Sequence, residues 1–184
     1  GSFSVPFANI SVGPDLRQLS QVTRVMSGSA VRVAAAGDTI VAVEAGGGII
    51  VSTDGGTSFQ TAQLPTGVTT VNSVAHLGNY FLAVGPDGAI LRSTNGITWS
   101  RRLSNTSSEL TDIAFGNGVF VAVGDNGRIV TSPDSSSFTL RSSGTEILLN
   151  SIAFGGGAFV AVGRNGLIMT SSDTINWSSY GTEE

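Results

Sequence analysis

The stretch Ile113-Ala114-Phe115-Gly116-Asn117-Gly118-Val119-Phe120-Val121-Ala122-Val123-Gly124 decides how this chain is read, because it occurs twice. It returns 39 residues later as Ile152-Ala153-Phe154-Gly155-Gly156-Gly157-Ala158-Phe159-Val160-Ala161-Val162-Gly163. A step of 39 backwards finds Val74-Ala75-His76 and then Phe81-Leu82-Ala83-Val84-Gly85. A further step of 41 finds Val33-Ala34-Ala35 and then Ile40-Val41-Ala42-Val43-Glu44. Four copies at nearly one spacing in 184 residues make this a repeat protein, and the repeat must be recognised before any fold is assigned.

Each unit reads as four short strands, A to D. Strand A ends near Phe115, strand B covers residues 120–123, strand C residues 128–132, and strand D starts at Phe138. Aromatic and β-branched residues suit strands, and turns interrupt the runs before a helical period can develop. The B–C turns carry Asp87-Gly88, Asn126-Gly127 and Asn165-Gly166, dipeptides that supply the positive φ of tight hairpins. Consecutive hairpins make a four-stranded antiparallel meander, and a period of roughly 40 residues is that of a β-propeller blade. The expected fold is all-β, a single propeller domain over residues 1–184 with blades at 31–64, 71–103, 110–142 and 149–184. The N-terminal run Ile10-Ser11-Val12-Gly13-Pro14-Asp15, then Leu19, copies the spacing of Ile129 to Asp134, then Phe138. Residues 10–26 therefore read as strands C and D of a partial fifth blade, with a shortened strand B at 3–8. An unfinished blade leaves an open edge, and open edges recruit partners, a second copy included.

The C–D turn repeats a further pattern. Ser52-Thr53-Asp54-Gly55-Gly56-Thr57-Ser58-Phe59 has counterparts in Ser93-Thr94-Asn95-Gly96-Ile97-Thr98-Trp99, Ser132-Pro133-Asp134-Ser135-Ser136-Ser137-Phe138 and Ser171-Ser172-Asp173-Thr174-Ile175-Asn176-Trp177. This resembles the Asp-box, or BNR, repeat of sialidase-like and photosystem II assembly-factor-like propellers. The physical reading is structural: the Asp or Asn side chain accepts the turn's own N–H groups, and the aromatic packs between blades. Trp99, Phe138 and Trp177 are accordingly expected to be buried there.

Composition and charge exclude several functions. There is no Cys, hence no thiol nucleophile, thiolate zinc site or disulfide framework. All nine basic residues are Arg, the net charge is −4, and no basic cluster exists, which disfavours nucleic acid as a partner. No apolar run reaches membrane-spanning length, and Gly1-Ser2-Phe3-Ser4 has no signal-peptide features. Low charge with abundant Ser, Thr, Asn and Gly resembles the composition of extracellular or virion β-proteins.

The single histidine, His76, sits in the column held by Phe115 and Phe154 and reads as a packing or rim position, so neither a metal cluster nor a catalytic triad is expected. The sialidase resemblance implies an arginine triad and a Tyr–Glu pair, but no arginine here falls in a triad motif, and the tyrosines are Tyr80 and Tyr180. Arg101-Arg102 reads as a solvated pair on an outer strand. No cofactor is expected. What remains is a loop face. The B–C turns offer Glu44, Asp87, Asp125, Asn126, Arg164 and Asn165, carboxylates and amides with one guanidinium, suited to a glycan or protein ligand. The leading expectation is a non-catalytic recognition or scaffold module, the alternatives being a structural component of a virion or phage tail and a sialidase-like hydrolase.

Overall fold

A computed structural model describes residues 29–180; the expected partial blade at 10–26, the strand at 3–8 and the last four residues lie outside the described residues. Among the described residues, sixteen strands fall into four sheets of four. The first blade comprises β1 (Ala30–Ala36), β2 (Thr39–Glu44), β3 (Ile49–Ser52) and β4 (Gln60–Thr61). The second comprises β5 (Ser73–Leu77), β6 (Tyr80–Val84), β7 (Ile90–Ser93) and β8 (Ser100–Arg101). The third comprises β9 (Leu110–Gly116), β10 (Val119–Gly124), β11 (Ile129–Ser132) and β12 (Thr139–Arg141). The fourth comprises β13 (Leu149–Gly155), β14 (Ala158–Gly163), β15 (Ile168–Ser171) and β16 (Ser178–Tyr180). Every sheet is an antiparallel meander in chain order.

Register repeats with the sequence. Ala114 faces Val121 across β9–β10, and Ala153 faces Val160 across β13–β14. Because side chains alternate along a strand, each blade has two apolar faces, and the second and third blades pack one on each neighbour. The leading face of one blade meets the trailing face of the next. Leu82, Val84 and Ile90 of the second blade meet Ile113, Phe120, Val130 and Phe138 of the third. Ala114, Val121, Val123 and Ile129 of the third meet Ile152, Phe159, Ala161 and Met169 of the fourth. Val41, Val43 and Ile49 of the first meet Val74, Phe81, Leu91 and Trp99 of the second. The core is thus three slabs between four blades. The first strands β1, β5, β9 and β13 lie side by side along the array, forming its inner edge.

The turn aromatics seal these slabs from the outside. Phe138 is fully buried, and Trp99 is buried with its indole N–H donating to the Gly96 carbonyl at 2.7 Å. Trp177 departs from expectation in degree: it packs on the third slab, between the third and fourth blades, but is only half-buried. His76 packs at a tilt on Phe81, as Phe115 does on Phe120 and Phe154 on Phe159, so it fills the aromatic column while remaining exposed.

One residue ties three blades together. Asp112, on the inner strand β9, accepts from Ser73 Oγ of the second blade at 2.9 Å. It also accepts from Ser151 Oγ at 2.6 Å and the Ile152 N–H at 3.0 Å, both in the fourth. The three positions are 39 residues apart, so one column of the repeat reads hydroxyl, carboxylate, hydroxyl. That pattern was visible in the sequence, but its partners belong to different units.

Candidate functional site

Antiparallel meanders put the A–B and C–D turns at one end of the array and the B–C turns, with the linkers between blades, at the other. The two ends are built differently.

At the C–D end the Ser–Asp turns are self-contained. In the first blade Ser52 Oγ donates to Asp54 Oδ1 at 2.7 Å and receives the Gly56 N–H at 2.8 Å; Asp54 accepts from the Ser58 N–H and hydroxyl at 2.9 and 2.6 Å. Asn95 does the same for Ile97 and Thr98, Asp134 for Ser136, and Asp173 for Ile175 and Asn176. Ser93, Ser132 and Ser171 supply the matching hydroxyls. These donors favour the ionised form. They hold Asp54 down to about 2, chiefly through Ser58, and Asp173 and Asp134 also stay below the usual carboxylate range. Such acids are committed to their turns.

At the other end the six expected ligand-facing residues separate into groups. Asp87, Asn126 and Asn165 sit at φ 53°, 54° and 56°, the left-handed hairpin position that Asn and Asp tolerate, so turn geometry accounts for their identity. Asp125 Oδ1 accepts the Asn126 N–H at 2.9 Å. Asn126 borders a groove of about 600 Å³ with Arg128, Arg141 and Glu146. Arg164, on the fourth blade, is exposed, and Glu44 is half-buried on the first. Each turn is a separate tip on its own blade. Among the described residues, no group of three or more His, Asp or Glu is placed to hold a metal ion, and no helix is long and apolar enough to cross a membrane.

A second concavity lies on the outer side of the second blade, about 330 Å³ in volume, bordered by Arg92, Thr98, Trp99, Ser100 and Arg102. Arg92, on β7, lies over the Tyr80 ring at 4.5 Å and donates to the Asp134 carbonyl at 3.3 Å and Ser135 Oγ at 3.2 Å. Arg102 donates to Ser100 Oγ at 2.8 Å, and its Nε is buried with no partner. Burial lowers the pKa of Arg102, and the Arg92 guanidinium lowers it further. The repeat explains the orphan. In the third blade, the register position of Arg102 holds Arg141, whose Nε donates to Thr131 Oγ1 at 2.9 Å. In the second blade the place of Thr131 is taken by Arg92, a second cation. Sequence reading placed Arg102 in solvent beside Arg101. Only Arg101 is fully exposed, donating to the Asp87 carbonyl at 3.0 Å, while Arg102 turns inward. Aligning the units position by position would have flagged the pair.

No family model matches the chain, and no curated protein matches it. Solved structures do. Virginiamycin B lyase from Staphylococcus aureus superposes with a TM-score of 0.73 at 17% identity over 88% of this chain. YCF48 bound to a D1 peptide matches with a TM-score of 0.62 at 19% identity over 84%. The computationally designed Ika4 protein matches with 0.63 at 17% over 80%, and 93% of its own length is covered. The fold is a β-propeller. The chain spans 58% of the lyase and 54% of YCF48. These likenesses concern the fold, and they include both an enzyme and a peptide-bound protein.

Proposed function

We propose that this chain is a non-catalytic recognition module, of the Asp-box type of propeller, that binds a protein partner through a carboxylate-bearing segment seated between Arg92 and Arg102. The observation that carries this reading is the pair of guanidiniums bordering one groove, both hydrogen-bonded only to neutral groups. A carboxylate is the acceptor that matches a guanidinium fork, and hydroxyls of Thr98 and Ser100 border the same groove. Bringing an anion there also relieves the repulsion between the two cations. That YCF48 has been solved with a D1 peptide supports protein binding as a use of this fold.

The test is titration of short peptides ending in Asp or Glu against parent and variants at low ionic strength. Arg92→Gln and Arg102→Gln are each expected to weaken binding at least about tenfold, with added salt doing likewise, and Arg128→Gln to leave it unchanged. Equal binding by parent and Arg92→Gln/Arg102→Gln refutes the site. A second reading, a glycan held by the B–C face, is favoured by the exposed tip at Arg164 and is separated from the first by a glycan array with Asp125→Ala and Arg164→Ala.

A further inference from the structure

We infer that Ser135, on the third blade, is a positioning residue for the anion-binding Arg92 of the second, so that the groove is completed by the neighbouring blade. The inference rests on the carboxylate reading above and adds to it the residue that aims the guanidinium.

The same two positions meet at each joint. Strand pairing places Val51, Arg92 and Thr131 in equivalent registers, opposite Val41, Leu82 and Val121. The Ser–Asp turn of the following blade supplies Gly96, Ser135 and Thr174, each three residues after the serine of its turn. Between the first and second blades the contact is apolar and close, for a Cβ on Gly96 would run into Val41 and Val51. Between the third and fourth, the Thr131 hydroxyl oxygen is used inside its own blade, accepting from Arg141. Between the second and third, a charged group crosses. Arg92 Nη1 donates to Ser135 Oγ at 3.2 Å and to the Asp134 carbonyl at 3.3 Å.

Ser135 is fully buried, at a φ of 60° in the left-handed region. Gly96 holds the equivalent place at 73°, so glycine fits there with less strain, and what serine adds is a hydroxyl. That hydroxyl donates its proton to the Asp134 carbonyl at 2.6 Å, which leaves its lone pairs to the guanidinium. The Asp134 carboxylate is engaged with Ser132 and Ser136 of its own turn. Neutral oxygens therefore hold Arg92, and its charge stays available to an incoming anion. The Tyr80 ring, 4.5 Å from the guanidinium carbon, restrains it from the second blade itself. With Nη1 held, Nε and Nη2 meet no acceptor among the described residues and are left for a carboxylate. A guanidinium fixed before binding gives up less freedom when the ligand arrives.

Ser135→Gly and Ser135→Ala both delete the hydroxyl, but glycine relieves the left-handed strain and alanine keeps it. Titrated at low ionic strength with the short peptides ending in Asp or Glu, both variants are expected to bind about three- to tenfold more weakly than the parent, by equal factors. Ser135→Gly should nonetheless melt at the higher temperature of the two. In the ligand-free protein, NMR of the Arg92 side chain should show hindered rotation of the guanidinium in the parent and faster rotation in both variants. Parent-like binding by Ser135→Gly overturns the inference and leaves the carboxylate site standing, because weakening in Ser135→Ala alone would follow stability rather than aim. A guanidinium equally restrained in parent and variants overturns it as well. A parent that binds no such peptide refutes the carboxylate site and this inference together.

Discussion

Asp54, Asp134 and Asp173 accept from donors of their own turns, and their ionisation is coupled to folding. In the unfolded chain an Asp titrates near 3.8; in the folded chain Asp54 titrates at about 2, held down first by the Ser58 hydroxyl and N–H. A depressed folded value means that the unfolded state binds protons first as pH falls. The stabilisation is complete above about pH 4 and disappears as pH drops through about 2, with Asp134 and Asp173 acting in the same sense. Melting temperature should thus be level from neutral pH to about 5 and fall steeply between about 4 and 2. Asp173→Asn keeps an oxygen acceptor, as Asn95 does naturally, and should make that acid decline shallower. Calorimetric melts of the two proteins across pH check this; identical acid limbs would remove the turn carboxylates as the cause.

At the scale of strands and turns, equivalent positions in the sequence are not equivalent in cost. Gly116 ends β9 and Gly155 ends β13, yet a methyl group meets Phe154 at the first and open space at the second. Gly116→Ala is expected to destabilise by about 1–3 kcal/mol through overpacking, and Gly155→Ala by less than about 0.5 kcal/mol. Urea unfolding of both variants measures the difference, and equal losses would contradict the assembly of blades described. Strands, hairpins and turn chemistry were legible in the sequence because they depend on residues a few positions apart, as in Ser52 to Ser58 or Asn126-Gly127. The rest was not, because it depends on pairs about 40 residues apart. Asp112 finds Ser73 and Ser151, Arg102 loses the acceptor that Arg141 keeps, and Trp177 lacks the cover that Phe138 has. For the candidate site, three of the six B–C residues, Asp87, Asn126 and Asn165, occupy the left-handed turn position that their hairpin dipeptides already made legible.

For the molecule as a whole, each blade packs only on its neighbours, so stability is a sum of units and joints rather than one central core. Among the described residues, the second and third blades have both faces covered, and the fourth has one. Opening should therefore start from the end. At high dilution, amides of β14 and β15 are expected to exchange at least about tenfold faster than those of β10 and β11 at matching positions. Hydrogen exchange resolved by mass spectrometry reads this directly, and uniform protection across the four blades would deny the graded stability.

The carboxylate of Asp112 makes the third blade irreplaceable in an array whose bricks otherwise look interchangeable. A gene losing one unit in frame would keep every slab apolar and every hairpin intact. Excising the 39 residues of the third blade, however, would bring Ser73 and Ser151 into adjacent rows as two hydroxyls with no anion between them. Excising the fourth would leave Asp112 at the new end with one of its two hydroxyls. Duplication or loss of blades in such a chain is thus free in oil and constrained in charge, and the keystone is the position where shuffling would be felt.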